Sequence, residues 1–325
     1  MLNWIFQKST LAVTSGLLAA CLSCARSSQL TIAFIPQTTA DDLWEPAHLA
    51  SLNATAKTGY GIYWNGPTSN NDIQTQVDLL DQAVDKRIAG MILAPDHPLA
   101  LMMPVRRAVL SGIPLVVIGS PLPLVPSGKL FYVLNDEEEE GRIAARRIGA
   151  QLDGNGSVVI LGLDPNNGGV FLRMQSFEVT LSREFPGITI LSRHMGSNSE
   201  AQAEQAAHAL LTGTRRPDAI LALTRTATTG ALHVIEDSGQ GKRIILVGCD
   251  QNYGLLYNLS LGKIDSIIAQ DTYAMGYRAT QILLSERSGS DAPSTIYIKP
   301  ILVTRENMYS PALLNVLTHD ARVRH

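Results

Sequence analysis

Cysteine, charge and catalytic motifs are all scarce in this sequence, and each scarcity excludes a class of protein. Three cysteines in 325 residues are too few for a disulfide framework, and no cysteine or histidine spacing fits a zinc site. The net charge of −3 provides no basic surface, so we expect no nucleic-acid partner. Phosphate-loop, nucleophile-elbow and zinc-protease motifs are missing. The sequence therefore predicts neither an enzyme nor a metal or cofactor site.

Only the N-terminus has a long apolar run. After Lys8 the chain is apolar or small from Ser9 to Leu18, and Cys21 follows two alanines. A charged start, a short apolar run and small residues predict a secretory signal peptide over residues 1–20, since the run is shorter than the roughly 20 residues that cross a bilayer. The segment 18–21 resembles the lipobox of bacterial lipoproteins. The resemblance implies lipidation of Cys21, a linker over 21–29 and a membrane-anchored protein in the periplasm or at the cell surface. The alternatives are an ordinary signal peptide or a buried N-terminal helix.

The rest of the chain alternates short apolar runs with amphipathic segments. About ten runs read as strands, and segments such as 71–86, with an apolar residue every three or four positions, read as helices. This rhythm predicts an α/β fold with two parallel sheets and a break near 134–136. We expect Pro104 to interrupt its helix, the acidic run 136–140 to be a solvated helix start, and Cys249 to pack at a strand end.

Ligands of such sheets bind beyond the carboxyl ends of the strands. Carboxylates, amides and guanidinium groups bond hydroxyls, and an aromatic ring covers the C–H face of a sugar, so this set suits a small polyhydroxylated ligand. The candidate ligand-binding residues, which follow the strands or begin the next helices, are Asp41, Asp42, Trp44, Ser120, Phe171, Arg173, Thr224, Arg225, Asp250 and Gln270.

Several segments also follow one another in a characteristic order over residues 30–307. They include LLDQAVDKRIAGMILAP at 79–95, IPLVVI at 113–118, Asn135-Asp136 with Gly141, Arg173 with Phe177, Val247-Gly248-Cys249-Asp250, Ile268-Ala269-Gln270 and LVTREN at 302–307. Together they resemble the periplasmic sugar-binding proteins of the ribose-binding type (type I periplasmic binding proteins). These share their fold with the effector domains of Lac-repressor-like regulators.

The resemblance implies two doubly wound parallel-sheet lobes joined by a three-crossover hinge. The N-terminal lobe would comprise residues 30–134 plus 271–302, and the C-terminal lobe 135–270 plus 303–325. In such a protein Trp44 would stack on the ligand, Arg173 would grip it, and Asp250 would bond its hydroxyls beside the hinge-side Gln270.

The resemblance also implies a function and partners. A sugar or sugar derivative would be captured between the lobes and delivered to an ABC-transporter permease, or sensed by a signalling receptor. A Lac-repressor-like regulator is a further alternative, but it needs a helix-turn-helix, and only about 29 residues precede the first strand.

Some candidate positions depart from the family pattern. Gly119-Ser120 stands where the family has an Asp-Arg pair, and Thr224-Arg225 replaces the usual Asn and its acidic neighbour, so sugar specificity cannot be transferred. Arg225 either faces the cleft, where it favours an anionic ligand, or points to solvent. Structural alternatives remain for three others: Trp44 as a core residue, Arg173 as a surface residue and Asp250 as a helix cap.

Overall fold

A computed structural model describes residues 30–40, 42–69, 72–164, 167–195, 199–212, 216–239, 244–289 and 292–317. The predicted signal peptide, Cys21 and Asp41 lie outside the described residues. Within those ranges, none of the helices combines the length and the apolar character needed to cross a membrane.

Strands and helices alternate along most of the described chain, as the sequence predicts. In chain order the elements are β1 (Leu30–Ile35), α1 (Glu45–Thr55), β2 (Tyr60–Trp64), α2 (Ile73–Asp85), β3 (Gly90–Leu93), α3 (Pro98–Leu110), β4 (Leu115–Gly119), β5 (Leu130–Asn135), α4 (Glu137–Gln151), β6 (Asn155–Leu163), α5 (Gly168–Glu184), β7 (Gly187–Met195), α6 (Glu200–Thr212), β8 (Ala219–Ala222), α7 (Arg225–Asp237), β9 (Ile245–Cys249), α8 (Tyr253–Ser260), β10 (Ser266–Ala269), α9 (Thr272–Ser288), β11 (Thr295–Ile298), β12 (Ile301–Thr304) and α10 (Pro311–Leu317).

The strands form two six-stranded sheets of matching topology. The first has the order β11-β5-β4-β3-β1-β2 and the second β12-β10-β9-β8-β6-β7. Every pair is parallel except β10 with β12. Strand order reverses beside β1 in one sheet and beside β6 in the other, which is where doubly wound folds bind ligands. The predicted α/β class with two doubly wound sheets is confirmed.

Burial explains why the apolar runs become strands. All residues of β3, β4, β5 and β8 are buried, because helices cover both faces of each sheet. The helices begin at side-chain caps where the sequence offers them; Asp72, for example, accepts a hydrogen bond from the Thr75 amide and starts α2. Each sheet therefore has apolar clusters on both faces.

The chain passes between the sheets three times. It crosses from β5 to α4 at Asp136, from β10 to α9 at Gln270-Asp271, and from β11 to β12 at Lys299-Pro300. The third crossing precedes the predicted position after Leu302, because Ile301 and Leu302 already pair with β10.

Three local features differ from the sequence expectations. The strands β5 and β11 were not among the predicted ones. The helix α3 continues through Pro104, which was expected to interrupt it. A proline removes one backbone hydrogen bond, and here the buried face formed by Leu101, Pro104, Val105 and Ala108 holds the helix together.

Candidate functional site

Hydrogen bonds of two glutamine side chains connect the ends of β9 and β10. Gln251 donates from Nε2 to the Gln270 carbonyl (2.9 Å) and accepts at Oε1 from the Gln270 amide (3.0 Å). Gln270 in turn donates from Nε2 to Asp250 Oδ1 at 2.6 Å. The backbone of Asp250 is left-handed, with φ of +64°, a conformation uncommon for a non-glycine residue. Two strand ends thus fix the direction of one carboxylate.

Asp250 is not the cap of the following helix. Asn252 has that role, since its side chain accepts from the Leu255 amide at 2.7 Å. The capping alternative for Asp250 is therefore wrong, and its carboxylate is available for other contacts.

Arg173, on α5, lies beneath this carboxylate. Its Nε donates to Glu137 Oε2 at 2.9 Å, and Nη2 lies 2.7 Å from Glu137 Oε2 and 3.1 Å from Glu140 Oε2. Nη1 donates to the Leu223 carbonyl and is 3.6 Å from Asp250 Oδ2. The side chain is 2% exposed, so the surface alternative is wrong. We call Glu137, Glu140, Arg173 and Asp250 the Arg173 cluster.

The burial of two glutamates corrects the expectation of a solvated acidic helix start. Glu137 and Glu140 are buried in the first turn of α4, whereas Glu138 and Glu139 bond Arg142 at its outer side. The cause is the close approach of α5. A Cβ on Gly141 would lie 2.3 Å from the Arg173 carbonyl oxygen, so this glycine lets α5 bring its arginine onto the start of α4.

Burial and neighbouring charges shift the pKa values of the Arg173 cluster in opposite directions. Burial raises the pKa of Glu140 well above its ordinary value and raises that of Glu137, while the Arg173 charge opposes both shifts. For Arg173, burial lowers the pKa, but the carboxylates of Glu137, Glu140 and Asp250 outweigh it and hold the pKa well above the usual value. The guanidinium therefore stays charged.

Cys249 ends β9 directly below Asp250. It is a free thiol that is fully buried, so its predicted packing at a strand end is confirmed. Burial raises the pKa of this thiol well above its usual value, and the neighbouring Glu140 raises it further, so the sulfur is neutral.

Trp44 occupies the core of the first sheet rather than an open surface. It is 3% exposed and its Nε1 donates to Gln37 Oε1 at 3.2 Å. Its ring lies against Gly119 at the end of β4, where an added Cβ would be 2.7 Å from Trp44 Cη2. The described structure thus matches the core alternative, because Gly119 leaves room for the indole beneath the sheet edge.

The other described candidates lie after strands or in the first turns of helices. Asp42 lines a crevice of about 500 Å³ together with Asn252 and Tyr253 from the second sheet. Thr224 caps α7 by accepting from the Ala227 amide at 3.1 Å, and the half-buried Arg225 follows it. Ser120 is half-buried and Phe171 exposed. The structure therefore joins Arg173, Asp250 and Gln270, and the hydrogen bonds and ion pairs described for these three residues do not include Ser120 or Phe171.

Three polar residues near this site were not predicted to belong to it: Asn135, Glu137 and Glu140. Asn135 ends β5 and donates from Nδ2 to Glu140 Oε2 at 2.6 Å. The signal that pointed to them was the density of carboxylates at 136–140, but a run of charges is usually solvated. Spacing alone could not show that its first and fourth glutamates face a buried arginine.

Comparison with known proteins adds three findings. A family model described as periplasmic binding protein domain matches residues 32–290. The chain is 23% identical over 258 residues to a putative rhizopine-binding protein of Rhizobium meliloti, covering 78% of this chain and 83% of that protein. It is 22% identical to the D-allose-binding periplasmic protein of Escherichia coli strain K12, covering 87% and 95%.

A solved structure shares the fold. The ABC transporter solute binding protein of Agrobacterium vitis, bound with alpha-D-tagatopyranose, superposes with a TM-score of 0.81 at 24% identity, covering 89% of this chain and 99% of that one. Two lobes of this kind are therefore a known arrangement.

Proposed function

This chain belongs to the periplasmic binding protein domain family, and from that premise we propose that it captures a sugar or sugar derivative between its two sheets. Its relatives include proteins whose names give rhizopine and D-allose as ligands. Like other members of its family, it would act by binding and release, without turnover of the ligand.

One observation carries the proposal: the Arg173 cluster reaches solvent through Asp250. The Asp250 side chain is 15% exposed, whereas those of Arg173 and Glu137 are 2% and 6% exposed. Its left-handed backbone and the Gln270 hydrogen bond fix it at the carboxyl end of β9. A carboxylate with free acceptor positions suits the hydroxyls of a sugar.

The three crossings supply a hinge for capture. Each joins the sheets through one or two residues, which is the kind of connection that absorbs domain closure. A ligand that contacts Asp250 on one side and the Asp42 side of the crevice on the other would bind the closed form more tightly. Closure then follows from this difference in affinity.

The proposed partner is the permease of an ABC transporter, which would bind the closed form. A sensor receptor is the alternative partner. Deleting the gene separates them: uptake of labelled ligand falls if the partner is a permease, whereas a signalling response is lost with uptake intact if it is a receptor.

The N-terminal sequence supports a location outside the cytoplasm with a lipid anchor at Cys21. Incorporation of radioactive palmitate in a bacterial host tests this proposal. We expect Cys21→Ser to abolish the label and Cys24→Ser to retain it, because only Cys21 follows the small residues of the lipobox-like segment. Label in both variants contradicts the assignment.

Thermal melting against monosaccharides, sugar acids and sugar phosphates tests the binding proposal. A ligand that binds only the native state adds about 2.7 kcal/mol of stability at a hundredfold excess over Kd. We expect a rise in Tm with one sugar class that is lost in Asp250→Ala and kept in the control Asp237→Ala, an exposed residue at the end of α7. No rise with any sugar contradicts the proposed function.

A further inference from the structure

The Arg173 cluster contains more negative than positive groups. Three carboxyl groups, those of Glu137, Glu140 and Asp250, face one guanidinium. Burial raises the pKa of both glutamates, and the two carboxyl groups and Asp250 share a single cation. A buried or partly buried carboxylate is costly unless a positive or hydrogen-bonding group compensates it.

Arg173 has few free hydrogen-bond donors for an anionic ligand. Its Nε and Nη2 hydrogens point to the two glutamates, and Nη1 donates to the Leu223 carbonyl. The remaining hydrogen on Nη1 lies on the side of Asp250 Oδ2, at an N–O distance of 3.6 Å. A guanidinium has five donors in a fixed fork, so four of them are engaged within the protein.

Two buried acceptor oxygens, one in the Arg173 cluster and one on the adjoining Asn135, have no hydrogen-bond partner among the described residues. They are Asn135 Oδ1 and Glu140 Oε1, and the Cys249 thiol, a weak donor, lies beside the Glu140 carboxyl group. Both side chains are at least 98% buried and are joined by the Asn135 Nδ2 to Glu140 Oε2 hydrogen bond. Buried acceptors of this kind are uncommon in folded proteins, and they indicate that the Arg173 cluster and the adjoining Asn135 are short of hydrogen-bond donors.

A metal ion is a poor match for this shortage. In the part of the chain that the structure describes, no three His, Cys, Asp or Glu side chains are placed to hold one. Glu137 and Glu140 instead turn their Oε2 atoms toward the Arg173 guanidinium.

We infer that the ligand carries a cationic nitrogen, and that this ammonium group binds the exposed carboxylate of Asp250. The inference rests on the proposed function and narrows its ligand class to amino derivatives of sugars or cyclitols. An ammonium group supplies three donors and one positive charge, which is what the cluster lacks. The ring hydroxyls would bond the remaining cleft residues.

Calorimetric titration of the intact protein with matched ligands tests this inference. Each hexosamine is compared with its parent hexose, which has a hydroxyl in place of the amine, with its N-acetyl derivative, which has the nitrogen without the charge, and with the corresponding uronic acid. An aminocyclitol is compared with its parent cyclitol in the same way. We expect the Kd of the amine to be at least about tenfold lower than those of its neutral counterparts, because the amine forms a charge-assisted hydrogen bond. Asp250→Asn, which keeps the shape and removes the charge, should reduce that ratio toward one.

The outcomes separate the two proposals. If a neutral sugar binds as tightly as its amine, or a uronic acid binds more tightly, the inferred charge preference is wrong and the sugar-binding function stands. If no compound of any class binds, the proposed function fails, and the ammonium inference fails with it. The ratio between matched ligands is measured on the unmodified protein, so it does not depend on the folding of a variant.

Discussion

The two sheets have the same strand order, but their edges at the cleft differ in chemistry. The first sheet ends β4 at Gly119 and Ser120 above a buried tryptophan. The second ends β9 at Asp250 above a buried arginine and two glutamates. The same topology can therefore carry strand ends of different chemistry, and function is argued from those residues rather than from the fold. At the end of β4 the first sheet has no charged group, whereas at the end of β9 the second sheet has the Asp250 carboxylate.

The largest effect should come from removing the cation of the second sheet. Arg173→Ala leaves Glu137 and Glu140 buried without their partner, which we expect to cost about 3–5 kcal/mol of unfolding free energy. Chemical denaturation measures this loss. The control Arg183→Ala removes an exposed arginine from the same helix and should cost less than about 1 kcal/mol. Equal losses in the two variants are incompatible with a buried charged cluster.

A smaller effect is expected at Gly119, which ends β4 in the first sheet. Gly119 has φ of +78°, and an added Cβ would lie 2.7 Å from the Trp44 ring. Gly119→Ala should cost about 1–3 kcal/mol, because backbone strain and crowding add. Gly112→Ala is the control, since Gly112 has φ of +84° with no atom within 4 Å. If the two alanine variants are equally stable in denaturant titrations, the indole does not pack as tightly as described.

Glu140→Gln tests the buried acid through its pH dependence. The pKa of Glu140 in the folded protein lies well above the ordinary 4.5. Its contribution to stability is therefore fully present below pH 4.5 and lost as the pH rises through the folded-state pKa. Stability of the unmodified protein should fall relative to the glutamine variant above pH 4.5, by at most about 1.4 kcal/mol per pH unit.

Urea titrations between pH 4.5 and 8 measure this difference. Glu138→Gln, an exposed change in the same helical turn, should keep the slope of the unmodified protein. If the unfolding free energy of Glu140→Gln changes with pH in parallel with that of the unmodified protein, the pKa of Glu140 is not raised in the folded state.

The smallest effects are expected far from the cleft, where the two lobes should behave alike. Arg107 bonds Asp81 on the first, and Arg146 bonds Glu184 on the second. Both pairs are exposed, so Arg107→Ala and Arg146→Ala should each cost about 0.2–1 kcal/mol by chemical denaturation. A clear difference between the two losses of unfolding free energy would show that the lobes also differ on their outer surfaces.

Much of the fold was predictable because the information is local. Apolar runs such as β3 and β8 are continuous, and the amphipathic period of α2 is regular. The strands β5 and β11 were not recognised, and the position of the third crossing depends on the pairing of Ile301 with Ala269. Pairing between distant segments is not visible in a local pattern.

The site was predictable in part for the same reason. Arg173, Asp250 and Gln270 follow strands or start helices in a familiar order, and the structure joins them. The burial of Glu137 and Glu140 depends on how closely Gly141 lets α5 approach. The burial of Trp44 depends on the space left by Gly119. Such contacts arise only when separate elements pack together.

The three crossings also determine the order in which the molecule can be completed during synthesis. In the first sheet β5 receives its outer neighbour β11 only when Thr295 pairs with Tyr132, after nearly all of the second sheet has been made. Until then β5 exposes unpaired backbone groups, a template for wrong partners. The first sheet is therefore complete only after the C-terminal part of the chain has been synthesised. A chain that ends before β11 would leave β5 as an unpaired edge strand.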